Sequence, residues 1–176
     1  MRRLLLLGLL ISTPALAATL SGVTMSETAS ISGAPLVLNG VGLREKYFID
    51  IYVAGLYLPA KTTDATSAMD PAKAKLLEFE FLLDLSADQL GDSMREWLDA
   101  DPEAAKHTDT IIGWMPDVNK GDRMVMRYEP GVGTSIAVKG VDKGTIPGTA
   151  VMTALFDIYL GDKPPTEALK KGLLGL

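Results

Sequence analysis

Along KLLEFEFLLDL, residues 75–85, Leu77, Phe79, Phe81, Leu83 and Leu85 share one parity, while Glu78, Glu80 and Asp84 share the other. Period-two alternation of this kind predicts a half-buried strand. The pattern then changes period. Ser86 with Gln89 three residues on forms a capping box, and Leu90, Met94, Trp97 and Leu98 make the apolar stripe of a helix behind it. Asp101-Pro102 opens a second helix, cap followed by proline in the first turn, running to about Met115 before Pro116. Upstream, Pro35 to Leu43 and Tyr47 to Leu58 are rich in aliphatic, β-branched and aromatic residues and predict two strand segments with a bend between them. Lys61 to Pro71 reads as loop. Downstream, DRMVMRYEPGVGTSIAVKG predicts two strands around a Pro-Gly turn, and DKGTIPG a turn and a short third strand. Thr149 to Leu160 carries a helical stripe that stops at Gly161, and a short helix through Leu169 follows Pro164-Pro165. Strands grouped before and after helices indicate an α+β fold, an antiparallel sheet with helices on one face.

The N-terminus departs from this pattern. Met1-Arg2-Arg3 is a basic start, Leu4 to Ile11 an apolar run, and Ala15-Leu16-Ala17 a small-x-small cleavage site, the three parts of a secretory signal. The run is far short of the roughly 20 residues that span a bilayer. Residues 1–17 are therefore expected to be a signal peptide, residues 18–33, rich in small and hydroxyl side chains, a flexible leader, and residues 34–176 the folded domain. Export points to the bacterial periplasm. The net charge of −5 becomes more negative once Arg2 and Arg3 are removed, which argues against nucleic acid as a partner. With no cysteine in the chain, disulfides, thiol catalysis and cysteine-held metals are excluded, and packing must supply the stability.

Most candidate chemistry has an ordinary explanation. The single histidine, His107, lies in the polar run AKHTD and reads as a solvated surface residue, which leaves a Ser-His-Asp triad without support. Gly40-x-Gly42 resembles the start of a dinucleotide loop, but Glu45 occupies the third glycine position and a strand follows. Asp99, Asp101 and Glu103 suggest a calcium loop, yet Ala104 and Thr110 stand where its glycine and closing glutamate belong, so the cluster reads as a helix junction. Glu78 and Glu80 have the form of an acid-base pair but arise equally from alternation on a solvated strand face.

Arg44 is harder to explain. It heads the apolar stretch GVGLREKYFIDIYVAGLYL and shares parity with Lys46, Phe48, Asp50 and Tyr52, while Leu43, Tyr47, Ile49, Ile51 and Val53 form the opposite, more apolar face. Arg44 then either sits on a solvent face, with Asp50 as a salt-bridge partner, or serves a site. In one straight strand, a rise of about 3.3 Å per residue would hold Arg44 and Tyr52 roughly 26 Å apart. Joint action requires a bend or hairpin near Lys46 to Phe48.

The segments LNGVGLREKYFIDIYVAGLYL, FLLDLSADQL, KGTIPG and ALFDIYLGDKPPTEALKKGLLG occur in order and together span most of residues 34–175. In these the sequence resembles the chalcone isomerase-like family, specifically its bacterial exported branch. The resemblance implies an open-faced β-sandwich of chalcone isomerase type, α+β, with helices covering a large antiparallel sheet and a ligand cleft between them. That family includes enzymes closing a chalcone to a flavanone and relatives binding fatty acids. In both, an arginine after Gly-x-Gly-hydrophobic points into the cleft, which falls on Arg44. The binders pair it with a tyrosine on the next strand, matched by Tyr52, where the enzymes have threonine. The enzymes' helical tyrosine and asparagine align with Leu90 and Trp97, and a polar residue of the last long helix with Ile158. Much of the donor set that would hold an enolate is thus replaced.

The leading expectation is a non-catalytic periplasmic protein binding a small hydrophobic carboxylate, such as a fatty acid, or a polyphenol-like ligand. Arg44 and Tyr52 would grip the head group, with Leu90, Met94, Trp97 and Phe156 as apolar wall. No cofactor or metal is implied. One alternative is an intramolecular lyase acting on a conjugated ketone, with Arg44 and Tyr52 as catalytic groups. Another is an envelope interaction module with a collapsed cleft and Arg44 satisfied by Asp50.

Overall fold

The computed structural model describes residues 17–176, so the signal expected over residues 1–17 lies, apart from Ala17, outside the described residues. The first elements are a small hairpin, β1 (Ala18–Leu20) and β2 (Val23–Met25). The main sheet has seven antiparallel strands in sequential order: β3 (Thr28–Ile31), β4 (Ala34–Lys46), β5 (Ile49–Leu58), β6 (Lys75–Phe81), β7 (Arg123–Glu129), β8 (Gly133–Val138) and β9 (Val141–Ile146). The helices are α1 (Ala65–Met69), α2 (Ala87–Ala100), α3 (Pro102–Ala105), α4 (Thr108–Gly113), α5 (Ala150–Leu160) and α6 (Glu167–Leu173).

Alternation along the strands divides the apolar residues between two faces. Ala54, Leu56 and Leu58 of β5, with Leu77, Phe79 and Phe81 of β6, join Met94 and Leu98 of α2 and Leu155 of α5 in the larger core, beneath the helices. The opposite parity, Val53 and Tyr57 of β5 with Leu76 of β6, joins Val23, Met25, Leu36 and Leu38 in a smaller cluster on the other face. The fold is thus the expected α+β arrangement, one large antiparallel sheet with helices on one face.

Residues 18–33 do not form the flexible leader that their composition suggested. Val23 and Met25 are buried against the second face, the Leu38 amide donates to the Glu27 carbonyl at 2.8 Å, and Arg123 reaches the Thr24 carbonyl at 3.1 Å. Only every second side chain in this short hairpin points inward, too few to register as an apolar segment. Arg123 also binds Glu78 at 2.7 Å and Glu80 at 2.6 Å, so the two glutamates are members of an ion cluster partly covered by the hairpin. An acid-base reading of them is thereby set aside.

Other boundaries shifted for local reasons. Asp64 accepts from the Thr66 and Ser67 amides and starts α1 inside the segment read as loop. The strand predicted to reach Leu85 ends at Phe81, and Leu85 instead bridges to Val118. The helix expected from Pro102 to Met115 is two short pieces, with His107 at the start of the second and making no side-chain capping bond. Asp101 caps the first piece through the Glu103 and Ala104 amides, which accounts for the acidic cluster.

Gly40 and Gly42 have a packing role. A Cβ at Gly40 would collide with the Gly172 and Leu173 carbonyls, and one at Gly42 would meet the Leu169 carbonyl at 2.5 Å. The two glycines let α6 lie directly on β4. Asn39 secures the contact, donating to the Leu173 carbonyl and accepting from the Thr62 amide, both at 2.7 Å. The register shifts beside Asn39, a bulge that aims this buried amide at both partners.

Candidate ligand cleft

β4 and β5 are joined by a two-residue turn, Tyr47-Phe48, with φ of 52° and 62°. This is the bend that joint action of Arg44 and Tyr52 required. Folding back at residues 47–48 places Arg44 directly opposite Tyr52 across the strand pair. Both project beneath the helices, because Leu43 and Val53, their opposite-parity neighbours, pair toward the second cluster.

There they border a cleft of about 680 Å³ between the sheet and α2 and α5, within the roughly 300–1,000 Å³ typical of small-molecule sites. Its floor is Tyr52, Phe79, Phe81 and Met124 of the sheet. Its helical wall is Leu90, Met94 and Trp97 of α2 and Ile158 and Tyr159 of α5, and Pro165 closes one end. The aromatic floor is fixed edge to face, with Tyr52 at 5.4 Å from Phe79 and 6.3 Å from Phe81. A hollow of about 530 Å³ beside α1 is shallower, and its acids Asp64 and Asp70 are engaged with backbone amides. It brings no free donors together.

Arg44 is held in an unusual way. One terminal nitrogen, Nη1, donates to the Glu45 carbonyl at 2.8 Å and to the Pro165 carbonyl at 3.0 Å. A guanidinium has five N–H groups, so Nε and Nη2 retain three. Among the described residues no carboxylate lies within ion-pair range of Arg44. Asp50 sits opposite Glu45 on the strand pair and does not reach it. The collapsed-cleft arrangement, with Arg44 neutralised by Asp50, is therefore not what the fold adopts.

Two phenols accompany the cation. Burial raises the Tyr52 hydroxyl above the ordinary phenol range, with Arg44 and the neighbouring Tyr159 hydroxyl pulling it down less strongly. Tyr159 is raised as well, by burial and then by Tyr52, against the pull of Arg44. Both remain protonated at physiological pH and act as hydrogen-bond donors. The cleft thus presents a fixed cation and two un-ionised phenols over an aromatic floor, while Lys46, Gln89, Asp92, Ser93 and Glu96 give the rest of its lining a polar rim; the Arg44 end suits an anionic head group and the floor an apolar body. Among the described residues no cluster of His, Cys, Asp or Glu can hold a metal ion.

Five of the six residues named from sequence, Arg44, Tyr52, Leu90, Met94 and Trp97, line the cleft. Phe156 does not. It is fully buried inside the core beneath the helices. α5 is apolar on nearly every side, so its periodicity singles out no cleft-facing stripe. Tyr159 was missed for a related reason: the polar position of this helix was matched to Ile158, and the phenol stands one residue further on. Its hydroxyl was the available signal, being the one polar group of the helix besides the exposed Thr153 and Asp157.

A sequence model of the family described as chalcone isomerase-like matches residues 17–175. No curated protein matches the chain. Among solved structures, the crystal structure of an Arabidopsis thaliana fatty-acid binding protein superposes with a TM-score of 0.71 at 17% identity, covering 90% of this chain and 96% of that one. At that identity the likeness speaks to the fold alone. With the family match running from the first described residue almost to the last, the chain belongs to the chalcone isomerase-like family.

Proposed function

We propose that this protein binds an apolar carboxylate of the fatty-acid kind in the cleft between sheet and helices, without turning it over, in the periplasm after export. The observation carrying the reading is Arg44: a guanidinium oriented by two backbone carbonyls, with three N–H groups left over, at the edge of a cleft floored by Tyr52, Phe79, Phe81 and Met124. Such a fork pairs both oxygens of a carboxylate, and Tyr52 and Tyr159 add neutral donors. The Arabidopsis protein of like fold carries the description fatty-acid binding, which supports the ligand class. The basic, apolar and small-residue pattern of residues 1–17 supports export.

A second reading draws on the same donors, since a cation with two phenols also stabilises an enolate, and the cleft would then close a conjugated ketone into a ring. One experiment separates the two. Protein purified from the envelope is extracted with organic solvent and the extract analysed by mass spectrometry, beside Arg44→Ala. An apolar acid retained stoichiometrically by the wild type and lost from the variant is the expected result. An empty wild type that converts a chalcone to a flavanone, at a rate dependent on Arg44, would replace binding by catalysis. A bound lipid indifferent to Arg44 would refute the anchor.

A further inference from the structure

The turn that positions Arg44 carries the wrong residues for a turn. Two-residue hairpins with positive φ at both positions strongly favour Asn-Gly, because a side chain with a Cβ is crowded there. Here the positions are held by Tyr47 and Phe48, with φ of 52° and 62°. Their side chains do not recover the strain by packing. Tyr47 is 82% exposed and Phe48 96%, and the next residue, Ile49, is 57% exposed. Three consecutive large apolar residues stand in solvent at the lip of the cleft, flanked by the cleft-lining residues Lys46 and Ile51. Strain in the backbone together with exposure of the side chains has no return within the fold.

We propose that the β4–β5 turn is a membrane-docking tip, with Tyr47, Phe48 and Ile49 entering the boundary between head groups and acyl chains and presenting the cleft mouth to the bilayer. Size favours a lipid surface over a protein. Aromatic side chains bury on the order of 150–250 Å² each, so the tip offers a few hundred Å², against the roughly 800 Å² per partner of a stable protein interface. Composition agrees. Tyr47 and the Lys46 ammonium, 5.6 Å from its ring centre, pair an amphipathic ring with a snorkelling cation, a combination suited to the head-group layer. The strands below the tip carry Arg44 and Lys46 against Glu45 and Asp50, and the chain as a whole is acidic. Attachment is therefore by apolar insertion into a neutral surface and does not depend on anionic lipid. If the cleft takes a fatty acid as proposed above, docking gives that ligand a dry route between bilayer and cleft. Docking itself does not rest on that reading.

The test is flotation of residues 17–176, which hold every described element, with phosphatidylcholine vesicles and no added ligand. The wild type is compared with the double variant Tyr47→Asn, Phe48→Gly, which supplies the residues that the turn geometry favours. The expected result is that the wild type floats, independently of salt, and that the variant's partition coefficient falls at least ten-fold while its Tm stays equal or rises. The variant's affinity for a soluble medium-chain fatty acid should equal that of the wild type, so failure of the ligand reading leaves flotation intact and interpretable. Wild-type protein that stays at the bottom of the gradient would overturn the proposal, as would a variant that floats equally well. Self-association of the wild type in sedimentation equilibrium, lost in the variant and without vesicle binding, would overturn it in favour of a second copy.

Discussion

Replacing Arg44 by methionine keeps an apolar stem of similar reach and deletes only the guanidinium, which makes it the sharpest perturbation of the proposed anchor. Arg44 lies half-buried beside an apolar floor and wall, where a ligand carboxylate would be largely desolvated. Truncating one partner of a buried, hydrogen-bonded charge pair costs about 2–5 kcal/mol, which at 1.4 kcal/mol per decade is roughly a 30- to 4,000-fold loss of affinity. The lower end applies if Tyr52 and Tyr159 keep part of the head group bonded, the upper end if the carboxylate is left unpaired. The fold should tolerate the change, because the bonds lost with Arg44 join it to the carbonyls of Glu45 and Pro165 near the surface. The assay is equilibrium titration followed by the fluorescence of Trp97, which lines the cleft, using a fatty acid and its methyl ester. The wild type should prefer the acid by the factor above, and Arg44→Met should bind acid and ester alike. A wild type indifferent to esterification, or a variant within three-fold of wild type for the acid, would refute the anchoring role.

Acidity should have little effect on that affinity across neutral and mildly alkaline pH, because both phenols are raised above the ordinary range and arginine does not titrate; binding measured from pH 6 to 9 should be flat. Lys75 gives a signal in stability instead. It is fully buried, and burial lowers its ammonium from 10.5 to about 8. Between those values the folded state has lost the proton and the unfolded chain keeps it, so stability rises with pH. Between pH 7 and 9.5 the gain is about 2 kcal/mol at 1.36 kcal/mol per unit, and urea titrations should show it in the wild type and not in Lys75→Met. Gly42→Ala puts a methyl against the Leu169 backbone and should cost about 1–3 kcal/mol by overpacking; an unchanged urea midpoint would mean that α6 is only loosely seated. Asn39→Ala leaves the Thr62 amide and the Leu173 carbonyl unpaired, for an expected loss of about 1–3 kcal/mol in the same assay.

The elements legible in the sequence were those whose chemistry is local. The Ser86 and Gln89 capping box forms as read, and the alternation of Leu77, Phe79 and Phe81 places them beneath the helices. The Pro-Gly turn after β7 also forms as read, whereas the turn after β8 falls at Lys139-Gly140, before the DKG segment read as turn, which lies inside β9. The prediction that Arg44 and Tyr52 can cooperate only through a bend near Lys46 to Phe48 came from strand geometry alone, and the two-residue turn at Tyr47-Phe48 meets it. Cleft residues on α2 were legible because an amphipathic helix shows its buried stripe.

What remained hidden depends on contacts distant in sequence. The hairpin of residues 18–25 is ordered by a second apolar cluster built from β3, β4, β5 and β6, and nothing within the hairpin announces that surface. The bulge at Asn39 is set by partners at Thr62 and Leu173. Phe156 and Tyr159 lie three residues apart on a helix apolar nearly all round, so only its packing against the sheet and α2 decides which enters the core and which faces the cleft. Periodicity and capping are encoded by near neighbours, so the α+β class and most of its elements could be read from the chain, while the pairing of Arg44 with Tyr52 came with the family resemblance. Orientation within a helix apolar nearly all round, and the use of Gly40 and Gly42 as a seat for α6, are settled where separate elements meet and have no local signature in the chain.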